Sequence, residues 1–280
     1  MKRKLLVILG LLVSVFVYGQ NNYESTKKYD GKFIHIGAGL DVIKFKDLGT
    51  SPLFYTGILT DIELGLIKFD SGKEREFKFS FARGKAINTI SKTTYTSNVM
   101  IGNLSYSKIY PVWHNERFMC KVGGEFKNTF QYRNNPSFQN NAVGIEFFST
   151  LSASGKISWN ISNRETKRFK ILFIPFTLQP RKRELSFNMK LALMNNTYRN
   201  GYAYIGDSAV VNEASLFDGY EFKMFSGYRI GTELNYTVFL KNGNAIKLGY
   251  ELDAYRTGGN LDKFQIANFK LKIALLFKTK

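Results

Sequence analysis

The stretch Ile246-Lys247-Leu248-Gly249-Tyr250-Glu251-Leu252-Asp253-Ala254 decides the fold. Its even positions are apolar, and the odd positions between them hold Lys247, Gly249, Glu251 and Asp253. Successive side chains of a strand point to opposite faces, so this is a period of two and a β-strand, with one greasy face and one charged face. After Thr257-Gly258-Gly259-Asn260 the chain returns with Phe269, Leu271, Ile273, Leu275 and Phe277 alternating with Asn268, Lys270, Lys272 and Ala274. A soluble sheet would bury the greasy face and wet the charged one. A membrane barrel would do the reverse, with lipid outside and a polar lumen.

Working outward, the same alternation recurs at Ile34–Val42, Ile58–Leu66, Phe77–Ala82, Met100–Tyr106, Phe118–Phe130, Val143–Ile157, Leu185–Leu193 and Tyr228–Val238. Ten strands of roughly 10–16 residues result, near the 9–11 that a tilted strand needs to cross a bilayer and well above the 5–6 usual in globular sheets. Residues 47–52, 84–96, 134–141 and 195–219 read as the connections of one end. Asp70-Ser71-Gly72 and Lys241-Asn242-Gly243-Asn244 read as tight turns at the other. The segment from Asn160 to Arg183 breaks the pattern. It surrounds Ile171-Leu172-Phe173-Ile174-Pro175-Phe176 with Arg164, Lys167, Arg168, Lys170, Arg181, Lys182 and Arg183, and its proline argues against a central strand. If Lys167 to Thr177 joined the wall, the barrel would have twelve strands.

The N-terminus has its own logic. Lys2, Arg3 and Lys4 precede an apolar run from Leu5 to Val17, and Val17-Tyr18-Gly19 suits a signal peptidase. The expected organisation is a secretory signal over residues 1–19, a flexible lead-in over 20–31 and a barrel domain over 32–280. No later segment approaches the roughly 18 apolar residues of a membrane helix. The single cysteine, Cys120, excludes a disulfide framework and reads as a small hydrophobe. The formal charge of +18 would fall to +15 once the signal's three cations were removed. Export argues against nucleic acid as the partner of that excess, leaving an anionic surface or solute.

At this point the chain resembles outer-membrane β-barrel proteins of Gram-negative bacteria. The resemblance is architectural and rests on the signal ending at Gly19, the alternating strands and the closing strand Phe269 to Phe277. It departs from the usual pattern in the three residues after Phe277, Lys278-Thr279-Lys280. It implies an outer-membrane location, contact with outer-membrane lipid, and a girdle of aromatics near the strand ends, for which Phe45, Phe69, Tyr106, Trp113, Tyr132, Trp159, Tyr198 and Phe277 are placed.

With the apolar face toward lipid, the lumen receives Asp41, Asp61, Glu63, Glu125, Glu146, Glu233, Glu251 and Asp253 against Lys78, Lys121, Lys127, Lys156, Lys190, Arg229, Lys247, Lys270 and Lys272. Such a balance predicts a ladder of ion pairs in a narrow lumen, since unpaired charges there are costly. Glu251 and Asp253 should reach Lys270 and Lys272 on the next strand. The basic segment Arg164 to Arg183 is left as a surface for anionic lipid head groups or an acidic partner. No cofactor motif appears, and two distant histidines, His35 and His114, make no metal site. The leading reading is therefore a non-enzymatic barrel, either a narrow porin-like channel or a structural membrane protein. The alternatives are an outer-membrane hydrolase acting on lipid or peptide, with His35 as its best residue, and a secreted soluble β-protein binding an apolar ligand.

Overall fold

A computed structural model describes residues 30–90, 92–162, 166–171, 174–178, 180–200, 220–259 and 263–279. The proposed signal and nearly all of the lead-in lie outside them. Thirteen strands appear in chain order: β1 (Gly31–Asp47), β2 (Ser51–Asp70), β3 (Lys73–Ile90), β4 (Thr93–His114), β5 (Phe118–Asn134), β6 (Val143–Asn160), β7 (Lys167–Ile171), β8 (Ile174–Leu178), β9 (Arg183–Asn200), β10 (Tyr220–Lys223), β11 (Tyr228–Phe239), β12 (Ala245–Arg256) and β13 (Phe264–Thr279). Ten of them form a closed antiparallel barrel in the order β1-β2-β3-β4-β5-β6-β9-β11-β12-β13. The first strand closes on the last, from Lys32 opposite Thr279 to Asp47 opposite Phe264. The short β10 adds a further pairing with Thr197–Asn200 of β9.

The twelve-strand alternative is wrong. Strands β7 and β8 pair only with each other, as a separate two-stranded hairpin, and at five residues each they are far shorter than the wall strands. Pro175, set opposite Lys170, has no N–H to give to a ladder.

Alternation places the side chains as expected through the middle of the wall. Ile34, Ile36, Leu40, Ile62, Leu64, Phe79, Leu191, Leu248, Leu271 and Ile273 are exposed on the outside, while Asp61, Glu63, Lys78, Glu251, Lys270 and Lys272 are buried inside. Towards the end remote from the termini, the distal end, the geometry continues but the chemistry inverts. Arg83 and Lys85 of β3 and Lys44 of β1 point outward and are exposed. Ile43, Phe45, Tyr55, Leu59, Ala82, Ala86, Val99 and Ile101 point inward and pack with Phe148, Tyr255, Phe264 and Ile266. The distal part of the barrel is thus built like a water-soluble one, oily within and charged without.

This inversion explains the errors in strand length. Residues 84–96 read as a polar loop because the outward positions turn polar, yet β3 and β4 run on to a tight turn between Ile90 and Thr93. Likewise 195–200 belong to β9. The expected contrast of long distal and short terminal connections therefore fails, and the terminal end carries a long one at 161–182. Phe45 and Phe69 also leave the supposed girdle. Phe45 is buried in the distal cluster, and Phe69 packs inward against the small terminal cluster of Phe33, Ile67, Ala245 and Leu276. Trp113, Trp159 and Phe277 do face outward, and Trp159 stacks on Phe118 with ring centroids 5.6 Å apart.

Wall glycines mark where neighbouring strands come close. A Cβ on Gly123 would sit 2.1 Å from the Lys108 carbonyl oxygen and 2.7 Å from the Ile109 Cα, whereas one on Gly155 would meet nothing within 4 Å. Gly123→Ala should lower stability by about 1–3 kcal/mol through overpacking. Gly155→Ala should stay within about 0.5 kcal/mol of the parent. Thermal unfolding of the two variants, followed by circular dichroism, checks the contrast.

Candidate functional site

The lumen is the only part of the wall's middle where the sequence concentrates chemistry, and its charges occupy three levels. They get there by strand parity alone: Asp61 and Glu63 on β2, Lys78 on β3, Glu125 and Lys127 on β5, Arg229 and Glu233 on β11, Glu251 and Asp253 on β12, and Lys270 and Lys272 on β13 all share the inward parity of their strands.

At the centre, Lys272 is held by three carboxylates, Glu251 at 2.7 Å, Glu63 at 3.0 Å and Glu233 at 3.2 Å. Lys78 lies beside the same group, 3.9 Å from Glu63 and 4.0 Å from Glu251. Lys270 binds Asp61 at 2.9 Å, and Lys190 binds Glu125. A step further along, Arg229 donates to both oxygens of Asp253 at 2.8 and 2.6 Å and to Thr129 at 3.0 Å, while Lys127 reaches Asp253 at 2.6 Å. Asp41 is fully buried in this region with neither carboxylate oxygen hydrogen-bonded. The voids that remain are small, about 20 Å³ beside Glu125 and Arg229 and about 20 Å³ between Glu76 and Lys247. Each has room for about one water molecule.

Above this network lies the aromatic cluster, and above that a second charged group. Arg133 binds Glu146 and, at 2.6 Å, Asp47, and Arg199 binds Asp47 at 2.7 Å. Their guanidinium groups lie over aromatic faces, Arg133 4.6 Å and Arg199 5.3 Å from the Phe264 ring centre. Below the network, at the terminal end, the lumen opens into a cavity of about 930 Å³. On its wall Glu74 accepts from Lys121 at 2.9 Å and from Lys156 at 2.8 and 2.9 Å.

Of the charges expected in the lumen, Asp61, Glu63, Glu125, Arg229, Glu233, Glu251, Asp253, Lys270 and Lys272 meet in the central network, while Lys121 and Lys247 lie at the cavity. The expected partners are partly exchanged. Glu251 takes Lys272, the diagonal neighbour of its register partner Lys270, but Asp253 turns to Arg229 and Lys127. Sequence reasoning missed Asp47, Glu74, Glu76, Arg133 and Arg199. Continuing each strand's parity past its supposed end would have found the first four, but not Arg199, because a bulge at Leu193 switches the inward face of β9 from even to odd positions.

His35 is fully buried, with Nε2 3.4 Å from Glu63 and Nδ1 3.8 Å from Glu76. Asp41, its expected neighbour, stands six residues along the same strand, roughly 20 Å away at the rise of a strand. Both ring nitrogens thus face carboxylates inside the barrel, away from the surface. His114 lines the terminal cavity instead. Among the described residues no group of three or more histidine, cysteine or acidic side chains is arranged to hold a metal.

No protein-family model matches the sequence, and no curated protein matches it. Solved structures do share its architecture. The outer membrane protease OmpT from Escherichia coli superposes with a TM-score of 0.56 at 7% identity, covering 92% of this chain and 100% of that one. The translocator domain of the autotransporter NalP from Neisseria meningitidis gives 0.40 at 8% identity, covering 99% and 96%. The transport unit of the autotransporter AIDA-I from Escherichia coli gives 0.37 at 8% identity, covering 95% and 97%. At 7% identity the likeness to OmpT is one of fold, that of an outer-membrane β-barrel.

Proposed function

We propose that the chain is a non-enzymatic barrel spanning the outer membrane of a Gram-negative cell, a structural membrane protein with a sealed lumen, its terminal end in the periplasm. The observation that carries this reading is the stacking of two seals in one lumen, a central ion-pair network and a distal aromatic cluster, with water-sized voids between side chains. An exposed apolar belt around a closed wall supports the membrane setting, because soluble monomers rarely expose contiguous apolar surface beyond a few hundred Å². That belt also weighs against the soluble ligand-binder. The distal inversion fits a rim standing in water outside the bilayer, and Trp113, Trp159 and Phe277 fit the opposite interface.

Ion pairs in such a lumen serve closure more than stability. Desolvating the partners takes back most of their attraction, but removing one partner leaves a buried charge uncompensated and costs roughly 3–5 kcal/mol. Lys272, with three carboxylates around it, is the most exposed to this penalty.

Three outcomes follow from the reading. The purified chain, folded in detergent and inserted in a planar bilayer, should show no conductance steps; reproducible steps would replace the sealed lumen with a pore. Ile273→Arg, at the middle of the belt, should weaken folding into lipid vesicles by roughly 2–4 kcal/mol, read from denaturant titration. Lys272→Met should lose about 3–5 kcal/mol by the same titration, while Lys68→Ala, removing an exposed pair with Asp70 at 3.9 Å, should lose under about 1 kcal/mol.

A further inference from the structure

The cavity at the terminal end differs from the small voids described above by its size and by the mixed basic and apolar chemistry of its lining. At about 930 Å³ it lies within the range of small-molecule sites. Its cations are Arg117, Lys121, Lys156, Lys182, Arg183 and Lys247, against four carboxylates. One of those carboxylates, Glu74, is already shared between Lys121 and Lys156, so that group keeps a positive excess. Lys247 points inward from β12 and is only partly exposed; the opposite charges Glu76 and Glu233 share a small void with it, and no ion pair within 4 Å engages its ammonium among the described residues. Beside these charges part of the lining is apolar: Ile67, Phe69, Phe239 and Leu276 belong to the terminal cluster and face the same space, with the Lys121 ammonium 5.6 Å from the Phe69 ring centre. At the mouth, the Lys182 ammonium lies 3.8 Å from the centre of the Phe239 ring, joining the two chemistries.

We infer that this cavity is a binding site for a single-chain amphipathic anion, a phosphate or carboxylate head on a short alkyl chain. The head would meet Lys247 beside the Lys121–Glu74–Lys156 group, and the chain would lie on Phe69, Phe239 and Leu276. A bare anion would leave the apolar lining wet, and a neutral amphiphile would leave the excess of cations over carboxylates in the lining unanswered. The inference rests on the lumen being sealed above the cavity, which makes the site blind and its occupancy saturable.

The test uses the full chain in phosphatidylcholine nanodiscs, with octyl phosphate titrated calorimetrically against empty discs. Expected is saturable binding at one site per chain, at least tenfold tighter than for inorganic phosphate or octyl glucoside. Lys247→Gln removes no ion pair and should leave the barrel folded, with octyl phosphate bound at least tenfold more weakly; Lys247→Arg should restore it. Octanoate in place of octyl phosphate tells a carboxylate head from a phosphate one, and binding of either supports the site. No saturable heat above empty discs, equal affinity of Lys247→Gln, or equal binding of octyl glucoside would each overturn it. Conductance steps in the bilayer experiment would instead remove the sealed lumen, so the two failures are separable.

Discussion

The hydrogen-bonded seam between β1 and β13 is the constraint on which the rest of the molecule depends. It runs without a break from Lys32–Thr279 to Asp47–Phe264, and it joins the first strand of the wall to the last. An open sheet could bury its greasy face by folding another layer over it. A closed one has no second layer to recruit, so each strand must give one parity to the outside and the other to the lumen. Once the seam forms, Ile34, Ile36 and Leu40 on one side of it and Leu271, Ile273 and Leu275 on the other are committed outward. His35, Asp41, Lys270 and Lys272 are committed inward with them.

That commitment turns the lumen into the polar core of the protein. A charge there cannot reach water by moving its head group, as a surface lysine does, so it has to be answered by another strand. The answers come from far away in sequence: Lys272 with Glu63, Lys270 with Asp61, Lys127 with Asp253. The backbone pairing sets the order of the strands, and these ion pairs then tie together strands that are not neighbours in the wall. Hydrophobic contacts are indifferent to such choices, since any methyl packs against any other. A carboxylate without its cation is not.

Which part of this was legible follows from what parity can and cannot carry. The hairpin around Ile246–Ala254, the ten wall strands and the inward placement of Glu251, Lys270 and Lys272 come from a local signal of period two, and they can be read from neighbours in the chain. The distal inversion could not be read that way. It keeps the period but exchanges the chemistry of the faces, so Arg83 and Lys85 looked like loop and Phe45 like an outward girdle residue. Partner identity was equally hidden, because the rule that placed Asp253 on the inner face says nothing about Arg229 or Lys127 across the lumen. Only register partners were within reach, and even there Glu251 chose the diagonal Lys272 over Lys270, directly opposite it.

The two ends of the lumen are not equivalent, and this asymmetry bears on what a sealed barrel is for. Distally the aromatic cluster is roofed by Asp47, Arg133, Glu146 and Arg199, four charges that cancel, with the two guanidinium groups lying over Phe45 and Phe264. At the terminal end the cavity lining holds more cations than carboxylates, and the adjoining segment of the chain contributes Lys182 and Arg183 to it. A barrel meant only to fill a hole in a membrane would have no reason to keep a basic, half-apolar space of 930 Å³ at one end. The excess of cations over carboxylates in that lining is the charge that the proposed amphipathic anion would answer.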